Sequence, residues 1–306
     1  TIKFQLLIFI TKNGKIVYMY SRATPFQKAD KIAGTHQKID RAARLILREI
    51  ISKNPKFSKI HFPKIDEILV FEGNGGPDGI KTKSPGKDEP WHFVEPYGDL
   101  APIRSYVENH LFNISKALSK ENFVRASFEA GWMAHAITDA LTPAHQFPMT
   151  DKIIEISGKK PEERDKLIKK MFLSGENWRE RILKNWEYIG PKGVMSSHML
   201  YEMGVATMIT SVAAKKIIKS PTDEEILRVL KGEFMQIFEE KIKWVADQKY
   251  YERYLEKGWT TALARETRHD LLPEISKIVA LGWFEGIRRA LEEDFENTKN
   301  KSEDKK

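Results

Sequence analysis

The chain has 306 residues, 41% of them hydrophobic, and 51 Lys and Arg against 43 Asp and Glu give it a net charge of +8. That apolar content supplies a core and excludes global disorder. The absence of cysteine excludes a disulfide scaffold, a thiolate metal site and a thiol nucleophile. The charge fits either a mixed solvated surface or attraction to an anionic substrate.

In chain order, the first segment reads TIKFQLLIFITKNGKIVYMYS. Asn13-Gly14 between two apolar runs predicts a small β-hairpin. Phe4–Ile10 is short for the apolar part of a secretory signal, and no small-residue cleavage site follows closely, so no clear signal peptide is read. Residues 37–53 carry apolar side chains at helical spacing. Gly34 or Thr35 is placed to cap that helix. Residues 54–101 form a long Gly- and Pro-rich region, expected to be an irregular loop.

Helical patterns resume over 102–119, 122–142, 162–187, 195–218, 223–245 and 270–296. Gly190-Pro191 and Ser220-Pro221 punctuate them. No apolar run approaches the roughly 18 residues that a membrane helix needs. The terminal NTKNKSEDKK lacks apolar periodicity and is expected to be a disordered tail over 299–306. The expected organisation is an N-terminal extension over 1–34 and a single, mainly α, multi-helix domain over 35–298, with the loop across one end.

The chemistry concentrates in histidines and carboxylates. His135 and Asp139 are one helical turn apart in GWMAHAITDALTPAHQF, and share a helix face. Pro143 breaks the helix before His145. The pair is either a satisfied polar couple or a set of ligands suited to Zn²⁺. Asp139, with two oxygens, is able to bridge two ions. His198 and Glu202 repeat the one-turn spacing among Met199, Leu200, Met203 and Val205. Facing a core unpartnered they would cost several kcal/mol. Metal ligation or a solvated polar stripe removes that cost. Asp78, among glycines, reads as an Asx turn or a ligand. His92, beside Trp91, reads as a loop anchor or a ligand, and His36 as a first-turn histidine or a ligand.

Taken together, the order His36, Asp78, His92, His135-x3-Asp139-x5-His145, His198-x3-Glu202 resembles the zinc-dependent phospholipase C and single-strand-specific nuclease superfamily. The resemblance spans a little over half of the chain, over 36–202, and its most specific part is His-x3-Asp-x5-His with a proline before the last histidine. It implies a trinuclear-type site between helices holding two or three Zn²⁺ ions. Asp78, His92, His135 and Asp139 would hold one ion, and His145, His198 and Glu202 a second. Asp139 would bridge to a third ion, shared with His36. In the family an N-terminal Trp completes that third ion. This chain departs there, since its first Trp is Trp91. Asp88 rivals Asp78, but the family spacing favours Asp78. His61, His110 and His269 fit no element and are read as structural or surface residues.

The resemblance implies a phosphodiester hydrolase using metal-activated water, with Asp78 as the catalytic residue that orients or deprotonates it. A phospholipid substrate stands slightly ahead. A 3′-nucleotidase or nuclease acting on single-stranded nucleic acid is the alternative. Trp91, Phe93 and Phe147 would stack on bases, hold acyl chains or pack the core. A non-catalytic, zinc-stabilised helical protein is the reading from another class. The family suggests a secreted or periplasmic setting, while the unclear signal leaves a cytoplasmic one open. No protein partner is inferred.

Overall fold

The computed structural model describes residues 34–72, 76–78, 93–160, 163, 172–210 and 213–303, with side chains as far as Glu293. All regular elements among them are helical. The hairpin expected around Asn13-Gly14 lies outside the described residues.

Helix α1, Thr35–Lys53, buries Ile39, Ala42, Ala43, Ile46, Leu47 and Ile50, which recur every three or four positions. Gly34 is its N-cap and supplies no side-chain bond. The expected loop over 54–101 is only partly irregular. It contains a 3₁₀ turn, Pro55–Lys59, and a short helix α2, Ile65–Leu69. Ile68 and Leu69 are buried, so one apolar edge is enough to fold this stretch against the core.

Helices α3, Ala101–Ser119, and α4, Phe123–Ala140, form an antiparallel pair. Asn122 caps α4, its side chain accepting from the Arg125 amide at 3.0 Å. From Ala126 onward α4 is buried almost all round. Its Ala126, Ala130, Ala134 and Gly131 let neighbours approach closely. A side chain at Gly131 would meet the Ile68 carbonyl oxygen at 3.3 Å.

Of the helix expected over 162–187, residues 178–187 are helical and 172–177 are not, while 162 and 164–171 lie outside the described residues. A helix α5 spans Met149–Ser157 and ends at Gly158, whose φ of 69° suits glycine. Helix α6 starts only at Trp178 and runs to Ile189, capped by Asn177. Helix α7, Val194–Thr210, then leads to a 3₁₀ turn at Ala214–Lys216.

The helix expected over 223–245 is two helices, α8, Asp223–Leu230, and α9, Phe234–Asp247. Gly232, with φ of 82°, makes the break. Thr222 and Glu225 form a reciprocal capping box at the start of α8. Helices α10, Tyr250–Lys257, and α11, Thr261–Glu266, follow, and a π turn at Thr267–Leu271 feeds the long α12, Leu272–Glu303.

Helix α12 is the core's centrepiece, packed on α1, α3 and α4. Its Trp283 is fully buried and donates its indole N–H to the Ala130 carbonyl at 3.1 Å. The tail expected over 299–306 is helical as far as Glu303. Residues 292–303 contain neither Gly nor Pro, so the backbone bonds continue past the last apolar stripe.

Candidate metal centre

Four segments deliver the donors. His36 sits in the first turn of α1, and His135 and Asp139 lie one turn apart near the end of α4. Helix α4 stops at Ala140, and Pro143 opens a 3₁₀ turn that ends on His145. Thr142 stabilises the corner by donating its hydroxyl to the Thr138 carbonyl at 2.8 Å. A backbone bond from the Val94 amide to the His145 carbonyl, 3.0 Å, ties the returning loop to this turn. His198 and Glu202 face the same point from α7.

Two groups of donors converge. In the first, ligand atoms of His36, His135 and Asp139 lie within 4.8 Å of one another, and so do those of His145, His198 and Glu202 in the second. Either group could hold a metal ion. Asp139 stands between them. Its Oδ1 is 3.4 Å from His36 Nε2 and 3.3 Å from His145 Nδ1, and its Oδ2 is 3.3 Å from His135 Nε2. Glu202 Oε1 is 2.9 Å from Nε2 of both His145 and His198. The His36 and His135 rings stack at 4.2 Å, and those of His145 and His198 at 5.2 Å.

The remaining expected residues fall as follows. Asp78 Oδ1 lies 3.8 Å from His135 Nε2, and its side chain keeps 28% exposure against 2% for Asp139. Phe93 sets its ring 5.3 Å from His145 and 6.0 Å from His198, on the rim of the second group. Phe147 packs edge-on against Tyr251 at 5.3 Å and belongs to the core margin. Trp91 and His92 lie outside the described residues, as does Asp88. The resemblance divides the donors among three ions; the described donors gather as two groups, with His36 joining His135 directly.

Two buried carboxylates escaped the sequence reading. Glu72 Oε1 lies 2.9 Å from His135 Nδ1. Asp40, one turn after His36 on α1, is buried near Glu72. An acid one turn beyond a histidine was a visible signal for Asp40. Glu72 carries no such mark, because it meets His135 across 63 residues of sequence. His110 pairs with Glu129, which also meets Arg125, so it is a structural histidine. His61 and His269 are exposed.

The electrostatics are those of a carboxylate-rich interior. Burial opposes the charge on His135, but Asp139, Glu72 and Asp78 outweigh it and hold its pKa well above the ordinary value. Burial also opposes the charge on Asp139, yet His145 and His135 draw its pKa well below the usual carboxylate range. Glu202 is depressed against burial by His198 and His145. Asp40 is raised well above the usual range, by burial first and by Glu72 second.

A cation suits this donor set. Imidazole nitrogens and carboxylate oxygens, with no thiolate in the chain, match divalent transition metals. His198 Nδ1 and Glu72 Oε2 are buried without a hydrogen-bond partner among the described residues. Four carboxyl groups, Glu72, Asp78, Asp139 and Glu202, face these histidines, a concentration of negative charge that bound cations would neutralise.

No family model matches this chain, and no curated protein matches its sequence.

Proposed function

We propose that this chain is a metal-dependent phosphodiester hydrolase of phospholipase C type, taking Zn²⁺ at both groups. The observation that supports the reading is Asp139, whose two oxygens lie 3.3–3.4 Å from histidines of both groups. A carboxylate shared between adjacent His and carboxylate clusters is the donor arrangement of multi-metal phosphoesterases.

His36, His135 and Asp139 would hold one ion and His145, His198 and Glu202 another. Zinc, when bound, supplies Lewis-acid stabilisation of phosphoryl charge and acidifies water near neutral pH. Asp78 is the most exposed of the site carboxylates, 28% against 16% for Glu202, and would take the proton from an attacking water. The water oxygen joins phosphorus, the phosphorus–oxygen bond to the leaving alcohol breaks, and that oxygen is reprotonated from solvent. Phe93, beside the second group, lines the side on which a substrate's apolar part would lie.

Phe93 also supports a second reading. A ring 5.3 Å from His145 offers a platform for a base, as a 3′-nucleotidase or single-strand nuclease requires. The test pairs metal analysis with hydrolysis of p-nitrophenyl phosphorylcholine and single-stranded DNA. Cleavage of the choline ester alone supports the lipase reading, and cleavage of DNA alone the nuclease. A zinc-loaded protein inactive on both across pH would leave a structural metal centre.

A further inference from the structure

Helix α6 is amphipathic the wrong way round for a core helix. Trp178, Ile182, Leu183 and Trp186 are 58–68% exposed. At about 100° per residue they share one outward face. Tyr188 is the helix residue that is fully buried against the protein. Soluble proteins seldom leave two tryptophans and two branched aliphatics on one exposed surface without a partner for it.

The charges around that face are mixed, with the bases Arg179, Arg181, Lys184 and Lys192 outnumbering the acids Glu176, Glu180 and Glu187. Arg179 stacks its guanidinium over the Trp178 ring at 5.4 Å. Arg179, Arg181 and Lys192 are exposed, and none meets a carboxylate among the described residues. Glu180 is held by Lys184 at 2.7 Å and, with Glu187, occupies the side of the helix away from the tryptophans. Beside the helix, Phe172, Trp178, Ile182, Asn185 and Arg181 line a shallow groove, mostly apolar with a guanidinium at its edge.

We infer that the outward face of α6 docks on an anionic phospholipid surface. Apolar and indole side chains ringed by arginine match the boundary between acyl chains and headgroups, with the guanidiniums left at the phosphates. Helix α7, packed on α6, also exposes the apolar side chains of Met199, Leu200 and Met203. That helix also carries His198 and Glu202, so docking through α6 brings the metal centre's own helix close to the lipid. The inference rests on the exposed face and its charges, and holds whether or not the centre is catalytic.

The test is flotation of the full chain with vesicles of phosphatidylcholine alone and of equal parts phosphatidylcholine and phosphatidylglycerol. Binding is expected to the mixed vesicles and to be at least about tenfold weaker to the neutral ones, and to weaken with added salt. Arg179→Glu with Arg181→Glu should cost about tenfold or more. Trp178→Ala with Trp186→Ala should abolish the blue shift of tryptophan emission on binding. Circular dichroism and unchanged hydrolysis of soluble p-nitrophenyl phosphorylcholine keep these variants comparable. Absence of binding to the mixed vesicles, or equal binding by the Trp178→Ala/Trp186→Ala variant, overturns the inference. So does a wild-type dimer in ultracentrifugation that this variant abolishes while vesicle binding persists, since the face then serves a second copy. Vesicle binding without hydrolysis of any substrate would retain the docking surface and remove the enzymatic reading; the reverse result would do the opposite.

Discussion

His135 Nδ1 stands 2.9 Å from Glu72 Oε1, and both side chains are buried. The imidazole N–H donates to that carboxylate, leaving Nε2 directed toward Asp139 and Asp78. A ligand histidine oriented in this way is more basic and better placed. Close contact at Gly131 permits it, since α2 and its trailing Glu72 lie directly on α4. Glu72→Gln should weaken metal binding about 10- to 100-fold, read by competition with a chromogenic chelator. Unchanged affinity in a folded variant would remove the orienting role.

Asp139 is the residue on which both groups depend. Asp139→Asn keeps the shape and removes the charge that faces His36, His135 and His145. The variant is expected to lose at least one metal ion per chain by elemental analysis, together with hydrolytic activity. Full metal content would exclude a bridging role.

The titration of the metal-free protein has a defined sign. His135 is raised above 6.5, so its contribution to stability is complete below that value and lost as pH rises through its folded pKa. Asp139 is depressed below 3.8, so its contribution is present above that value and lost as pH falls through its folded pKa. Asp40, raised by burial and Glu72, adds a further cost as pH rises. The chelator-treated protein should therefore melt highest in mild acid and lose melting temperature toward mild alkali. Metal binding needs neutral imidazoles and ionised carboxylates, so zinc's stabilisation should grow over the same range. Differential scanning fluorimetry with and without zinc measures both trends, and a pH-independent gap would contradict them.

Core stability is separable from the centre. Trp283→Ala removes a fully buried indole and its bond to Ala130. A loss of about 3–5 kcal/mol is expected in urea unfolding of the metal-free chain. A loss below about 1 kcal/mol would mean that α12 does not pack on α4 as found.

What the sequence determined by itself is local. His135 with Asp139 and His198 with Glu202 are each one helical turn apart, so helical geometry alone puts each pair on one face. Pro143 likewise ends α4 and starts the turn that carries His145. The same local reading failed where a pattern crossed a backbone break. Residues 223–245 keep helical apolar spacing through Gly232, yet its positive φ divides them into two helices. It also failed at the C-terminus, where helical hydrogen bonding outlasts the apolar pattern.

Tertiary structure alone decided which donors meet. Asp139 reaches His36 across 103 residues of sequence and Glu72 reaches His135 across 63, distances along the chain that no periodicity encodes. It also decided that the apolar stripe of α6 points outward. Periodicity shows that a helix has an apolar face; only the packing of α6 on its neighbours through Tyr188 shows which way that face is turned.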